Sequence, residues 1–146
     1  NRLHGFVPII YTSAKKASVG YNGKIKFCEN TKIPAFANVI PELNHNEMTG
    51  FDIVSSTGAL SQNFYFLFLK DRYDHPQVIK RMEVTEKLYK DRGLRVESLE
   101  LSGENHFHKI FSSLLLADWI SFFLAKSYGV DAENVPMVEE FKKLIA

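Results

Sequence analysis

The densest group of polar side chains in the sequence spans residues 42–47, Glu-Leu-Asn-His-Asn-Glu, directly after an apolar run. Histidine is the side chain best suited to moving protons near neutral pH, so His45 is a candidate general acid or base. The same residues also suit a capping loop, in which Asn44 or Asn46 caps a short helix and Glu47 is favoured by the helix dipole. Spacing alone leaves both interpretations open.

A second candidate is Glu29, which lies near the end of a helix predicted over residues 14–32. A carboxylate at that end opposes the helix dipole, which is locally unfavourable. Residues that break a local rule often belong to functional sites. The alternative is an ordinary solvated glutamate on a weak helix, because Gly20, Asn22 and Gly23 lower the helix propensity of this segment.

Two other polar groups suit structural roles better than chemistry. Residues 55–58, Ser-Ser-Thr-Gly, could hold a phosphate only at the start of a helix, and a plain turn is the simpler interpretation. His106 and His108 are two residues apart, so on a helix they do not share a face and do not chelate a metal. The sequence contains no glycine-rich nucleotide loop, zinc-protease motif or nucleophile elbow.

Four apolar runs, separated by helical patterns, must position these candidate residues. The alternation of strands and helices predicts an α/β fold, a three-layer α-β-α sandwich with a mostly parallel, flavodoxin-like sheet of four to five strands. Ligands of such sheets bind at the carboxyl ends of the strands, which is where residues 42–47 would lie. The predicted strands cover residues 6–11, 35–40, 64–69 and 94–101, the third central and the fourth near an edge.

The helical patterns give three specific expectations. Asp74 is placed to cap the helix that follows the third strand. Residues 105–128 are apolar nearly all round, which predicts a helix buried in the core. A last short helix is expected to turn Val138, Phe141 and Ile145 inward.

Composition excludes several classes of protein. The 146 residues suit a single domain, and 18 basic against 17 acidic residues give a net charge of +1. That balance supports neither a nucleic-acid binder nor an anionic-membrane binder. The single cysteine, Cys28, excludes an internal disulfide and a cysteine-based zinc site. Residues 110–125 include three serines and Asp118 and are shorter than the ~20 residues of a membrane span. Because the chain starts with Asn1, we expect one domain of a longer protein.

The segment over residues 29–47, ENTKIPAFANVIPELNHNE, resembles the C-terminal sugar isomerase (SIS) domain of bifunctional phosphoglucose/phosphomannose isomerases. That family carries a glutamate in an N-E-N-A-K-like context, then an apolar strand, then P-E-L-N-H-N-E. Here Glu29 has the context C-E-N-T-K, and His45 follows it by 16 residues. The resemblance spans essentially the whole chain, with supporting matches at residues 66–70, 74–76, 118–125 and 129–131.

The resemblance implies an enzyme that converts glucose 6-phosphate or mannose 6-phosphate to fructose 6-phosphate through a cis-enediol. Glu29 would move the proton between C1 and C2, and His45 would pass a proton between the ring oxygen and O1 during ring opening. A lysine near the C-terminus belongs to the family's site, with Lys142 the better match and Lys126 the alternative. The resemblance implies no metal or cofactor, a cytoplasmic location and a homodimer, since the histidine reaches the neighbouring subunit.

The chain also departs from the family's pattern. The companion N-terminal SIS domain, with its Ser/Thr-rich phosphate loop and an arginine, is missing, so this chain alone is expected to be inactive. Gly23 and Cys28 replace a frequent tryptophan and a common asparagine. Two other functions are open, a sugar-phosphate-binding regulatory module and a structural dimerisation half. The presence of both Glu29 and His45 favours the isomerase, because binding alone needs neither proton-transfer group.

Overall fold

The backbone forms one parallel sheet of four strands in the order β2-β1-β3-β4. The structure is a computed structural model that describes residues 2–146. Ile10 in β1 lies beside Ala37 of β2 and Leu67 of β3, so β1 and β3 are central and β4 is an edge strand, as predicted. The strands are β1 (Val7–Ser13), β2 (Phe36–Ile40), β3 (Phe64–Lys70) and β4 (Arg95–Glu100).

Among residues 2–146, six α-helices and two 3₁₀ turns connect and cover the strands. The long helices alternate with the strands, because parallel neighbours need crossover connections. The helices are α1 (Ala17–Thr31), α2 (Glu47–Gly50), α3 (Gly58–Ser61), α4 (Pro76–Asp91), α5 (His106–Tyr128) and α6 (Pro136–Ile145), and the 3₁₀ turns are Ala14–Lys16 and Glu42–Asn44.

Both faces of the sheet are buried, which confirms the three-layer α/β prediction. Alternate residues of each strand point to opposite faces. Tyr11 and Phe66 pack with Met82 and Tyr89 of α4 on one face. On the other face, Ile10, Tyr65 and Leu67 pack with Phe27 of α1 and Leu124 of α5. The run of six apolar residues in β3 is explained by this double coverage.

The start of α4 differs in one detail from the sequence prediction. The residue that caps α4 is His75, whose ring Nδ1 accepts a hydrogen bond from the backbone N–H of Gln77 at 3.1 Å. Asp74 is buried beside it and does not cap the helix. Pro76 then occupies the first helical position, where its missing N–H costs nothing.

The prediction that α5 is a core helix is wrong. Only four of its 23 residues are buried, Lys109, Ser121, Leu124 and Ala125. A uniformly apolar pattern cannot show which side of a helix packs, and here one side contacts α1 and the sheet while the other is open. The prediction for α6 is wrong as well, because Val138, Phe141 and Ile145 are exposed and no residue of α6 is buried.

Helix α5 is also long and apolar enough to cross a membrane, if length and composition alone are considered. It is the one such helix among residues 2–146. A single helix of this kind is a weak indication, because helices in the cores of soluble proteins pass the same test.

Candidate active site

The loop after β2 is fastened to the sheet by Glu47. Its carboxylate accepts a hydrogen bond from the Tyr11 hydroxyl at 2.5 Å and another from the side-chain amide of Asn38. Tyr11 belongs to β1 and Asn38 to β2, so a single carboxylate joins the loop to two strands. The Tyr11 hydroxyl also lies 3.5 Å from that of Tyr89 on α4. The sequence predicted only a favourable interaction of Glu47 with the helix dipole, and it did not predict the hydrogen bonds with Tyr11 and Asn38.

Both tyrosines of this network stay neutral at physiological pH. Burial, with help from Tyr89 and Glu47, raises the pKa of Tyr11 far above its ordinary value. Burial also raises the pKa of Tyr89 to about 12. A neutral phenol can donate to a carboxylate, whereas a phenolate would repel it. The network thus anchors the loop through hydrogen bonds from neutral phenols.

His45 lies between two anchored asparagines and is itself exposed. The side-chain amide of Asn44 donates to the Thr85 hydroxyl of α4 at 2.7 Å. The Asn46 carboxamide oxygen accepts from the backbone N–H of Glu47, so the predicted cap at this position is confirmed. The main chain is held on both sides of His45, and its imidazole is open to a molecule that approaches the carboxyl edge of the sheet.

Glu29 lies at the amino ends of the strands, whereas His45 lies at their carboxyl ends. Helix α1 runs antiparallel to the strands it connects, so its last turn lies beside their amino ends. His45 follows the carboxyl end of β2, whose five residues span roughly 16 Å at ~3.3 Å each. The structure therefore does not bring Glu29 and His45 of one chain into a common site.

The last turn of α1, which carries Glu29, is tied to neighbouring elements. The Asn30 side-chain amide donates to the Ser121 hydroxyl of α5 at 2.8 Å. Lys32 has a left-handed backbone with φ of 56°, which is unfavourable for a residue with a side chain. Its ammonium group donates to the carbonyl of Glu29 at 2.8 Å and to that of Asp131, which offsets this cost.

An open groove is lined at one end by Asn30, the residue after Glu29. It is bordered by the end of α1, the middle of α5 and the loop after α5. None of the residues that line it carries a positive charge. They are Asn30, Leu115, Asp118, Trp119, Phe122, Ala132 and Glu133.

The structure does not join the two candidate lysines to either Glu29 or His45. Lys142 is exposed on α6 and forms an ion pair with Glu139 of the same helix at 2.7 Å. Lys126 is exposed in the last turn of α5. No hydrogen bond or ion pair described within residues 2–146 connects Lys142 to the other two candidates, so its role stays a prediction.

Residues 1–145 match the sequence profile of the bacterial phospho-glucose isomerase C-terminal SIS domain. The chain belongs to this family. The resemblance seen in the sequence is thereby confirmed, while the roles of Glu29 and His45 in this SIS domain stay predictions.

Relatives that this SIS domain matches include proteins named bifunctional phosphoglucose/phosphomannose isomerases. The one from Aquifex aeolicus is 33% identical over 143 residues, which are 98% of this chain and 43% of the relative. The one from Thermoplasma volcanium is 32% identical over 140 residues, covering 96% of this chain and 43% of the relative. The chain therefore spans less than half the length of these relatives.

Solved structures show the same fold at low sequence identity. A glucose-6-phosphate isomerase like protein from Thermus thermophilus superposes with a TM-score of 0.73 at 13% identity, over 93% of this chain and 44% of that one. The tagatose-6-phosphate ketose/aldose isomerase from Escherichia coli gives a TM-score of 0.61 at 14% identity, over 88% and 38%.

Sequence reasoning missed a buried ionic cluster in this SIS domain, where β1 and β3 end. Asp71 forms ion pairs with Lys16, at 3.1 Å, and with Lys109 of α5. Burial alone would raise the pKa of Asp71, but hydrogen bonds from Lys109, the backbone of Tyr73 and Lys16 outweigh it and lower the pKa to about 2. The positions of Lys16 and Asp71 after strand ends were a usable signal, whereas Lys109 is distant in sequence.

The described part of the chain holds no group of three histidine, cysteine, aspartate or glutamate side chains that could bind a metal ion. His106 lies with its Nδ1 3.2 Å from the Lys16 ammonium, and His108 accepts from the backbone N–H of Glu104 at 3.3 Å. The two histidines thus serve different local contacts.

Proposed function

We propose that this SIS domain is the C-terminal half of a cytoplasmic phosphosugar isomerase. It would interconvert glucose 6-phosphate or mannose 6-phosphate with fructose 6-phosphate through a cis-enediol. This proposal is supported by the match of nearly the whole of this chain to bifunctional isomerases. It is also supported by the carboxylate of Glu29 and the imidazole of His45 in the sequence motif. Neither group is needed merely to bind a sugar phosphate.

Glu29 is assigned to move the proton between C1 and C2. Its side chain is exposed, the next residue Asn30 lines the groove, and the turn that carries both is held by the contacts of Asn30 and Lys32. A fixed position is what proton transfer requires, because the carboxylate must reach the carbon-bound hydrogen within hydrogen-bond range.

His45 is assigned to ring opening in the active site of the neighbouring subunit, and not in the site that contains Glu29 of its own chain. Because Glu29 and His45 of one chain lie at opposite ends of the strands, they cannot both contact the same sugar molecule. A homodimer in which each subunit lends its His45 to the other resolves this separation. The C-terminal lysine of the site is assigned to Lys142, which α6 carries next in the chain after the groove loop.

The phosphate of the substrate needs a partner that this chain does not supply at the groove. The groove contains Asp118 and Glu133 but no cationic side chain. No lining side chain is cationic and the nearby Lys26 is already paired with Asp118 at 2.8 Å, so the phosphate-binding groups belong to the upstream half of the enzyme. This chain on its own is therefore expected to be inactive.

The test is isomerase activity of the complete gene product on fructose 6-phosphate, with coupled detection of glucose 6-phosphate and mannose 6-phosphate. Glu29→Gln keeps the shape but removes the base, and we expect kcat to fall by ~10²-fold or more. The matched control is Glu83→Gln, an exposed glutamate on α4. Sugar-phosphate binding without turnover in the complete protein would instead indicate a regulatory module and contradict the catalytic roles.

A further inference from the structure

Helix α5 exposes a continuous row of large apolar side chains. They recur every three or four residues and so lie along one side of the helix. Single exposed apolar residues are ordinary, but a contiguous patch of this kind marks a surface that is covered in the working protein. The row, called the α5 stripe below, consists of Phe107, Phe111, Leu115, Trp119, Phe122 and Phe123.

The α5 stripe is not part of this chain's own core. The opposite side of α5 supplies the buried residues, among them Ser121 and Leu124, which face α1 and the sheet. The rings of Trp119 and Phe123 stack on each other at 5.8 Å between centroids, and Phe122 packs edge-on against both. Clusters of tryptophan and phenylalanine of this type are enriched at the centres of protein interfaces.

The observations favour a protein partner over a lipid bilayer. Asp118 lies in the middle of α5 and forms an ion pair with Lys26 of α1 at 2.8 Å. Asn30 of α1 donates to Ser121 of the same helix. A membrane-spanning α5 would have to break both contacts and carry Asp118 into hydrocarbon.

The amino-terminal residues show where a preceding part of the polypeptide would enter. The His4 ring stacks on that of Tyr128, the last residue of α5, at 4.3 Å. The backbone N–H of Gly5 donates to the Tyr128 hydroxyl at 2.7 Å. His4 and Gly5, near the start of the described residues, therefore lie beside the carboxyl end of α5.

We propose that the α5 stripe is the docking surface for the upstream half of the same polypeptide. The relatives are more than twice as long as this chain, which matches their C-terminal domain, so their additional length precedes it. Leu115, Trp119 and Phe122 also line the groove that Asn30 borders, so a half seated on them closes this groove. It can thus place its cations opposite the groove's carboxylates. The inference uses the two-part architecture of the proposed function but no catalytic role.

Cysteine alkylation tests this docking in the complete gene product, in a background without other cysteines. Leu115→Cys probes the α5 stripe, and Val84→Cys on α4 is the control, since the two side chains are similarly exposed in this chain, at 61% and 48%. We expect maleimide to label Leu115→Cys at least roughly tenfold more slowly than Val84→Cys, because covered positions react only through rare opening. The protection is expected to be independent of protein concentration.

A second probe, Phe122→Cys, guards against a local disturbance at one position. Equal labelling rates at both stripe positions and at the control, in a variant with an unchanged melting temperature, contradict the proposal. Protection that appears only at high protein concentration assigns the stripe to a second copy of the chain. Protection that appears only on adding phospholipid vesicles assigns it to a membrane. Each of these three results overturns intrachain docking, whatever the isomerase assay shows.

Discussion

At the scale of single residues, the ionic cluster of Asp71, Lys16 and Lys109 contains the most deeply buried ion pairs among the described contacts. Asp71 is held between Lys16 and Lys109, and all three side chains are almost fully buried. Removing one member of such a cluster leaves uncompensated charge in the interior, which costs about 3–5 kcal/mol. The cluster joins the ends of β1 and β3 to the first turns of α5.

Asp71 makes the stability depend on acid pH. Its pKa is about 2 in the folded state, below the model-peptide value of 3.8, so the stabilisation is complete above about pH 4 and is lost as the pH falls from about 4 to 2. We expect the free energy of unfolding to drop by about 2 kcal/mol over that interval from this group. Urea unfolding between pH 2 and 6 measures it.

The matched variants for this measurement are Asp71→Asn and Asp91→Asn. Asp71→Asn is expected to be less stable at neutral pH and to lose the corresponding part of the acid dependence. Glu86, whose pKa is lowered to about 2 by hydrogen bonds from Lys70, Lys90 and Ser98 against the effect of burial, keeps a residual slope. Asp91 forms an exposed pair with Lys87, so its variant keeps the full profile. An unchanged slope in Asp71→Asn contradicts the assignment.

The Glu47 anchor gives a second prediction at this scale. Glu47→Ala removes the carboxylate that accepts from Tyr11 and Asn38, leaving the buried Tyr11 hydroxyl only the long contact with Tyr89, and we expect a loss of about 1–3 kcal/mol in the free energy of unfolding. Glu42→Ala is the control and should change stability by less than about 0.5 kcal/mol, because the Glu42 carboxylate accepts a hydrogen bond from the exposed side chain of Asn46. Equal effects in thermal or urea unfolding refute the anchor.

At the scale of elements, α5 depends on a single capping residue at its start. The Asn105 carboxamide oxygen accepts from the backbone N–H of His108 at 2.9 Å, which satisfies one of the unpaired donors of the first turn. Helix α5 carries Lys109 of the ionic cluster and Ser121, which binds Asn30. The cap therefore supports both the interior and the turn that holds Glu29.

We expect Asn105→Ala to lower the free energy of unfolding by about 1 kcal/mol, the usual cost of losing such a cap. Glu104→Ala, one residue earlier and exposed, is the control. Equilibrium unfolding of both variants measures the difference. If the two variants are equally stable, the hydrogen bond to His108 does not hold the end of the helix.

At the scale of the whole molecule, the separation of Glu29 and His45 determines how a working site can be assembled. Because the two residues lie at opposite ends of the strands, a site shared in a homodimer would contain Glu29 of one subunit and His45 of the other. In a mixed dimer of Glu29→Gln and His45→Gln chains, one site then holds both defects and the other holds neither.

The expected result is subunit complementation in the complete gene product. Each variant alone is nearly inactive, and equimolar mixing with subunit exchange should restore about one quarter of wild-type activity, since about half of the dimers are mixed and each has one intact site. Coupled isomerase assays before and after exchange measure it. The absence of any recovery after demonstrated exchange contradicts a site shared in this way.

The sequence by itself determined the local patterns. The six apolar residues of β3 predicted a doubly covered strand, and the motif over residues 29–47 identified the family, because both signals lie in contiguous residues. It could not say which side of α5 packs, since a helix that is apolar all round has no preferred face in its pattern. Only the tertiary structure decided that the α5 stripe is exposed and that Lys109 meets Asp71. It also decided that Glu29 and His45, 16 residues apart, lie at opposite ends of the strands. That separation arises because α1 runs antiparallel to the strands and ends beside their amino ends.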